Sequence, residues 1–180
     1  MCWHSIHVRH GRLASSALPA LLAAVLAGCG VAAGLGPTPT PTVALTLEAE
    51  RFAGVSEMPG ENYAAAPGWT AYSQPFYAGG RAAITRAVGG SLLGPIPDLP
   101  PGDYRVTLFV YDYASGQMNR ITLTLNGTTA TVEWGGAEVG VRPIVIDFRA
   151  TAGGRELILR AVERGQPYII VDQMRIESLR

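Results

Sequence analysis

From residue 43 onward, apolar and polar positions alternate with a period of two over most of the chain, and that period predicts strands. "LTLEAERF" (45–52) sets Leu45, Leu47 and Ala49 on one face and Thr46, Glu48 and Glu50 on the other. "DYRVTLFVYDY" (103–113) is dense in β-branched and aromatic residues. "NRITLTLNG" (119–127) alternates Ile121, Leu123 and Leu125 against Thr122 and Thr124, and its Asn126-Gly127 signals a tight hairpin returning through "TTATVEW". "VRPIVIDFRA" (141–150), "RELILRAVE" (155–163) and "YIIVDQMRIE" (168–177) continue the series, punctuated by Gly153-Gly154 and Gly165. "RAAITRAV" (81–88) fits either a short helix or a strand; the glycine pairs on both sides and its β surroundings favour a strand. A Pro-rich loop follows it. Many short strands with regular turns predict an all-β fold, an antiparallel β-sandwich over 43–180.

The first 42 residues read differently. Residues 1–12 carry Arg9 and Arg12 and no acid, and "LASSALPALLAAVLAG" (13–28) is apolar and small. This is the length of a signal-peptide core, too short for a stable membrane span. It ends in "LAGC", residues 26–29, which resembles the bacterial lipobox. That resemblance implies a lipoprotein signal peptide over 1–28 and lipidation of Cys29. An ordinary secretory peptide, cut near Ala27 or Gly30, is the other reading. Residues 29–42 form a tether in which alternating Pro and Thr keep the chain extended. Lipidation implies a place on the cell envelope, anchored in the membrane and facing the periplasm or the exterior.

Charge and composition narrow the chemistry. Fourteen basic residues, all Arg, balance fourteen acids in a chain of 180 residues. A neutral chain carries no electrostatic footprint for nucleic acid. Without Lys there is no Schiff base and no P-loop lysine. The three histidines are His4, His7 and His10, and the cysteines are Cys2 and Cys29. Cleavage before Cys29 leaves a chain with no His, no thiol free for a disulfide, and 12 Arg against 14 acids, a net −2. No zinc site and no Ser-His-Asp or Cys-His arrangement can be built from it. Carboxylates remain as the only catalysts. Asp112, Glu133, Glu138 and Glu163 are available for glycoside hydrolysis, each equally readable as an edge or loop charge. A non-catalytic domain is expected.

Six segments in order, "LEAERF", "YAGGRAAI", "LPPGDYRVTLFVYDY", "ITLTLNG", "GGRELILRA" and "IIVDQMRI", resemble the galactose-binding-like jelly-roll sandwich of carbohydrate-binding module families 6 and 35. The resemblance covers residues 44–180. It implies a carbohydrate partner, and a structural Ca²⁺ held by paired side chains of the first strand and an Asp of the last. The matching residues are Glu48, Glu50 and Asp172, with a backbone carbonyl near Ala78 to Gly80 contributing. Charge repulsion agrees with this: two carboxylates on adjacent same-face positions repel, and a hard cation with about 6–8 oxygen ligands removes the conflict. Otherwise Glu48 and Glu50 face solvent or pair with Arg51 or Arg175.

Sugar binding needs exposed aromatic faces beside hydrogen-bonding groups. "ENYAAAPGWTAYSQPFY" (61–77) shows no clear strand period, which places some of its rings on loops. Trp69 and Tyr72 are the expected stacking platform, with Gln166 and Tyr168 as polar and stacking partners. Core packing is the competing reading for Tyr63, Tyr77, Tyr111 and Tyr113, and the favoured one for Trp134, which shares a face with Val132. Two departures from the family pattern bear on the ligand site: "VEWGGAEVGVRP" lacks a second Trp, and Gln166 stands where an Asn is usual. The expected protein is thus a monomeric, lipid-anchored sugar-binding module. The alternative is a structural or protein-interaction sandwich of the same fold. Replacing the lipidation residue, Cys29→Ser, is expected to shift the protein out of the detergent phase in partitioning of cell fractions, because the apolar leader is then no longer exchanged for lipid.

Overall fold

The computed structural model describes residues 43–57, 68–113, 116–136 and 138–179. Cys29, the leader, the tether and Tyr63 lie outside the described residues. The strands are β1 (Ala44–Glu48), β2 (Val55–Ser56), β3 (Trp69–Ser73), β4 (Arg81–Thr85), β5 (Ser91–Leu93), β6 (Gly102–Tyr113), β7 (Asn119–Leu125), β8 (Thr128–Trp134), β9 (Val139–Ala150), β10 (Leu157–Arg164) and β11 (Ile169–Leu179). They form two sheets. One runs β2-β3-β4-β11-β6-β9, with β1 also on β11; the other runs β5-β10-β7-β8. Except for the short parallel pair β2–β3, every pairing is antiparallel. The expected all-β sandwich is the observed fold, and "RAAITRAV" supplies strand β4.

The alternation in the sequence is an alternation of burial. In β7, Ile121, Leu123 and Leu125 are fully buried and the intervening residues are half-exposed. In β6, Val106, Leu108 and Val110 point the same way. These residues meet Leu157 and Leu159 of β10, Val132 and Trp134 of β8, and Ile169, Val171, Met174 and Ile176 of β11 in one apolar core between the sheets. Burying a Leu or Ile side chain contributes about 1.5–3 kcal/mol, so this layer holds the sandwich closed. The β7–β8 hairpin turns at Asn126-Gly127, where φ is 44° and 81°. Two consecutive left-handed residues are what a two-residue hairpin of this hand requires. The Asn126 side chain also accepts the Glu156 amide at 3.0 Å, tying the turn to the approach of β10.

Strand β11 is the spine of the larger sheet. One edge pairs with β6 from Val171↔Val110 to Leu179↔Asp103. The other edge is shared: β4 pairs with Ile169–Val171, and β1 with Gln173–Glu177. The handover falls at Asp172, where the β6 register also slips between Val171 and Gln173.

Two expectations are corrected here. Strand β1 stops at Glu48, and Ala49–Arg51 forms a 3₁₀ turn with Ala49 fully buried, so Glu50 does not continue the strand. Trp69 is not a surface platform. It is 2% exposed, belongs to the sandwich core, and donates its indole N–H to the Gly90 carbonyl at 3.2 Å. Its segment lacks a polar/apolar period because β3 is covered on both faces, by the core below and by other aromatic rings above. Trp134 is core, as its pairing with Val132 predicts. Truncating the buried indole, Trp69→Ala, should cost about 3–5 kcal/mol, read as a lower midpoint in a urea titration.

Candidate functional site

Two groups of side chains stand out, and the β3–β4 turn joins them. The first is acidic. Asp172 is 3% exposed, and both its carboxylate oxygens accept the Ala78 N–H, at 3.0 and 3.1 Å. Gln173, opposite Glu48 in the β1–β11 register, donates its side-chain amide to Glu48 Oε1 at 3.0 Å. That leaves Glu48 Oε2 buried without a hydrogen-bond partner, and Glu50 Oε2 is in the same state. The Glu50 side chain is 8% exposed, and its ion pair with Arg51 is long, 3.8 Å. Arg175 pairs with Glu177, so it does not compensate either glutamate. Neither acid of the first strand is a solvated surface charge.

The electrostatics follow from this crowding. Burial, and then the charges of Glu48 and Glu50, push the Asp172 carboxyl up to about 6 against the opposing effect of the Ala78 amide. Burial chiefly, with Glu48 adding, also raises Glu50. The turn Ala78–Gly80 closes over the group. Gly79 and Gly80 adopt φ of 61° and 78°, and a Cβ on Gly79 would stand 4.0 Å from Glu48 Oε2. Among the described residues, no three acid, imidazole or thiol groups close into a metal cage by themselves.

The second group is aromatic and lies on the outer face of the larger sheet. Tyr72, Tyr77, Tyr111, Tyr113 and Tyr168 gather there around Ala82, Ile84, Ile170 and Val141. Strand pairing assembles them: Tyr72 faces Ala82, Ile84 faces Ile170, and Tyr111 faces Val141. Phe76 crowns the group at 53% exposed, with ring centres 4.5 Å from Tyr77 and 5.4 Å from Tyr111. Tyr111 lies 4.9 Å from Tyr113, which lies 6.3 Å from Tyr168. Burial among these rings raises the Tyr77 and Tyr113 hydroxyls far above their ordinary range, so both stay protonated donors at any working pH. Tyr77, expected in the core, is 5% exposed but sits beneath this platform rather than between the sheets.

A buried polar network fixes the rings from behind. Gln166 is 1% exposed. Its side-chain amide donates to Asp112 Oδ1 at 2.9 Å and to the Gln117 carbonyl at 3.1 Å, and its Oε1 accepts the Tyr113 amide at 3.2 Å. Asn119 accepts the Gln166 amide at 3.1 Å and donates to the Tyr168 carbonyl at 2.9 Å. Arg142 reaches Asp112 Oδ2 at 2.9 Å, and the Trp134 indole donates to the Tyr111 carbonyl at 3.1 Å. Gln166 therefore is not a surface contact: it is buried, and its side chain is spent on the Tyr113 amide, Asp112 and the Gln117 carbonyl. Of the four expected binding residues, Tyr72 and Tyr168 lie on the aromatic face, half-buried, while Trp69 and Gln166 do not. Sequence reasoning missed Phe76, and it missed the structural part played by Asp112, which it offered only as a possible acid, and by Asn119. The last two had a signal: they extend the inward-facing series Val106, Leu108, Val110 and Ile121, Leu123, Leu125, where a polar residue must find partners.

Solved structures share this architecture. The family 35 carbohydrate-binding module from Clostridium thermocellum matches with a TM-score of 0.53 at 16% identity, over 74% of this chain and 98% of that one. The C-terminal family 6 module of a marine laminarinase from Zobellia galactanivorans matches with a TM-score of 0.52 at 19% identity, over 76% and 100%. The fold is that of a carbohydrate-binding module. An exo-β-1,3-galactanase from Phanerochaete chrysosporium, solved with galactose, matches with a TM-score of 0.52 at 18% identity, and there the match covers 74% of this chain but only 29% of the enzyme. No protein-family model and no curated protein sequence matches the chain.

The raised carboxyl of Asp172 makes stability depend on pH. Its folded value, about 6, lies above the unfolded value near 4, so its contribution is complete below about pH 4 and is lost as pH rises through 6. In chelator, Asp172→Asn should thus become the more stable protein above pH 6, by something on the order of 2 kcal/mol, and lose that advantage at pH 4. Paired melting curves across pH 4–7 check it.

Proposed function

We propose that this domain is a non-catalytic carbohydrate-binding module that stacks glycans on the outer face of its larger sheet. The observation that carries this reading is the row of rings around exposed Phe76, of which Tyr111, Tyr113 and Tyr168 are held from behind through their backbones by a buried polar network. Tyrosine rings present an apolar face to a sugar ring and a hydroxyl to its hydroxyls, and pre-organised rings lose little freedom on binding. The fold shared with carbohydrate-binding modules supports the reading without naming the sugar. Three of the four acids that sequence offers for glycoside hydrolysis are held by arginines: Asp112 by Arg142, and Glu133 and Glu163 by Arg120.

Calcium belongs to the same proposal. The donor set fits a hard cation: Glu48 Oε2 and Glu50 Oε2 are buried oxygens with no hydrogen-bond partner, and the neighbouring Asp172 is raised by burial and then by their charge. Glu48, Glu50 and Asp172 would hold the ion, which takes the rest of its oxygens from carbonyls or water. Bound there, it neutralises the repulsion and ties β1 to β11 and the β3–β4 turn. Lipidation at Cys29 would place the module on the cell envelope.

The test is calorimetric titration with a panel of oligosaccharides, run with calcium and with chelator. Phe76→Ala should weaken binding about tenfold or more while leaving the melting temperature nearly unchanged, since an exposed ring contributes little to the core. Calcium should raise the wild-type melting temperature and chelator should lower it. Undiminished binding by the Phe76 variant removes this face from the site. Failure of every glycan to bind leaves the protein-interaction sandwich as the reading of the fold.

A further inference from the structure

The outer face of the smaller sheet carries a different chemistry. Leu157, Leu159 and Ala161 of β10 are buried in the core, so Ile158, Arg160 and Val162 face out. Register sets Arg160 beside Ser91 of β5 and Thr122 of β7, and Thr122 beside Thr131 of β8. Arg160 thus rises from a row of hydroxyl side chains. Val162 falls at a bulge, where the pairing slips between Ala161 and Glu163, and a bulge re-aims the side chain it carries. It is 38% exposed, and with Val88, 57% exposed, it walls a hollow of about 290 Å³ that Gly89, Thr122, Arg160 and Ala161 complete. The backbone here is fixed: the Gly89 amide donates to the Ala161 carbonyl at 2.8 Å, and the Ala161 amide to the Gly90 carbonyl at 3.1 Å.

Arg160 stands apart from the other described arginines. Eight of them pair with a carboxylate. Arg86 stacks on Tyr168, with its guanidinium carbon 4.8 Å from the ring centre, and Arg164 donates to the carbonyls of Gln166 and Pro167. Among the described residues, the Arg160 side chain makes no hydrogen bond, ion pair or ring contact. Glu133 and Glu163, which border its row, both close on Arg120. An unengaged guanidinium keeps its whole fork of donors for an incoming acceptor. One cation among hydroxyls and valines, with the neighbouring Arg120 already neutralised, matches a single negative charge that carries an apolar group. A doubly charged phosphate would leave one charge unmatched.

We propose that this hollow takes the C-terminal end of a peptide. The terminal carboxylate forms a bidentate pair with Arg160, and the last side chain, small and apolar, packs against Val88 and Val162. A chain terminus carries its carboxylate and its side chain on one carbon, and the hollow sets a guanidinium and a valine wall equally close together on one strand. The Thr122 hydroxyl, in the same hollow, is a second donor for the carboxylate. The site lies on the side of the sandwich away from the aromatic face and does not depend on the reading of that face as a glycan site.

The test is calorimetric titration of the full chain with N-acetylated tripeptides ending in Gly, Val or Leu, each as the free acid and as the C-terminal amide. The Val or Leu acid should bind about tenfold or more tighter than its own amide at low salt, with the advantage shrinking as salt rises. Arg160→Gln should bring the ratio of acid to amide close to one without moving the melting temperature, because the side chain makes no bond within the fold. Val162→Ser should erase the preference for Val over Gly and keep the preference for acid over amide. Equal affinity of acid and amide, no binding by any of the acids, or a ratio unchanged in Arg160→Gln overturns the site. So does binding of octanoate or of inorganic phosphate as tight as that of the best peptide, which makes the hollow a site for fatty acids or simple anions instead.

Discussion

The two hydrogen bonds from the Ala78 amide to Asp172 join everything that gives this sandwich its chemistry. Below them, β11 changes partners from β4 to β1, and three carboxylates crowd the gap. Above them, the turn that begins at Gln74 and ends at Gly80 carries Phe76 and Tyr77 into the aromatic face. Backbone bonds within the turn, from Gln74 to Gly80 and from Gly80 to Tyr77, make it one unit. A buried aspartate is costly to charge, and its neighbours make it costlier. The fold keeps it because a single acceptor group there orders both the strand junction and the platform.

The aromatic face has a matching support at its other end. Asp112, Asn119 and Gln166 are buried polar groups between the sheets, where an unpaired donor or acceptor would cost about 1–3 kcal/mol. Each is bonded, and the recipients are the backbones of Tyr113 and Tyr168 and the guanidinium of Arg142. The rings are thus fixed through their main chain by strands and side-chain bonds, while one face remains open. Sites built this way are stiffer than sites carried on loops alone.

Much of the fold was legible where one face of a strand is wet. In β6, β7 and β10 the apolar residues fall on alternate positions because only one side meets the core. The Asn126-Gly127 turn was legible because its backbone demands those residues. Strand β3 was not: Trp69 packs inward, Tyr72 packs outward under other rings, and a strand covered on both faces has no period to read. The end of β1 was hidden for a related reason. Ala49 continues the alternation in type, yet the chain turns there. The nearness of Glu48 to Asp172 was readable in outline, since Glu48 ends β1 and pairs with Gln173, the residue after Asp172. Of the aromatic face only Tyr72 and Tyr168 were anticipated, because its members come from residues 72–77, 111–113 and 168, which meet only after β3, β4, β11 and β6 have paired.

The placement of β1 has a mechanical consequence. Val43 bonds to Ser178, and β1 then runs antiparallel along the last strand to Glu48. A pull on the chain ahead of β1 would load that strand from its Ala44 end. Peeled from that end, its pairs with β11 would part in order, from Ala44↔Glu177 toward Glu48↔Gln173. The last pair to be reached is the one beside Asp172. Whatever neutralises the carboxylates at that junction would therefore be the last thing to hold β1 on the sheet.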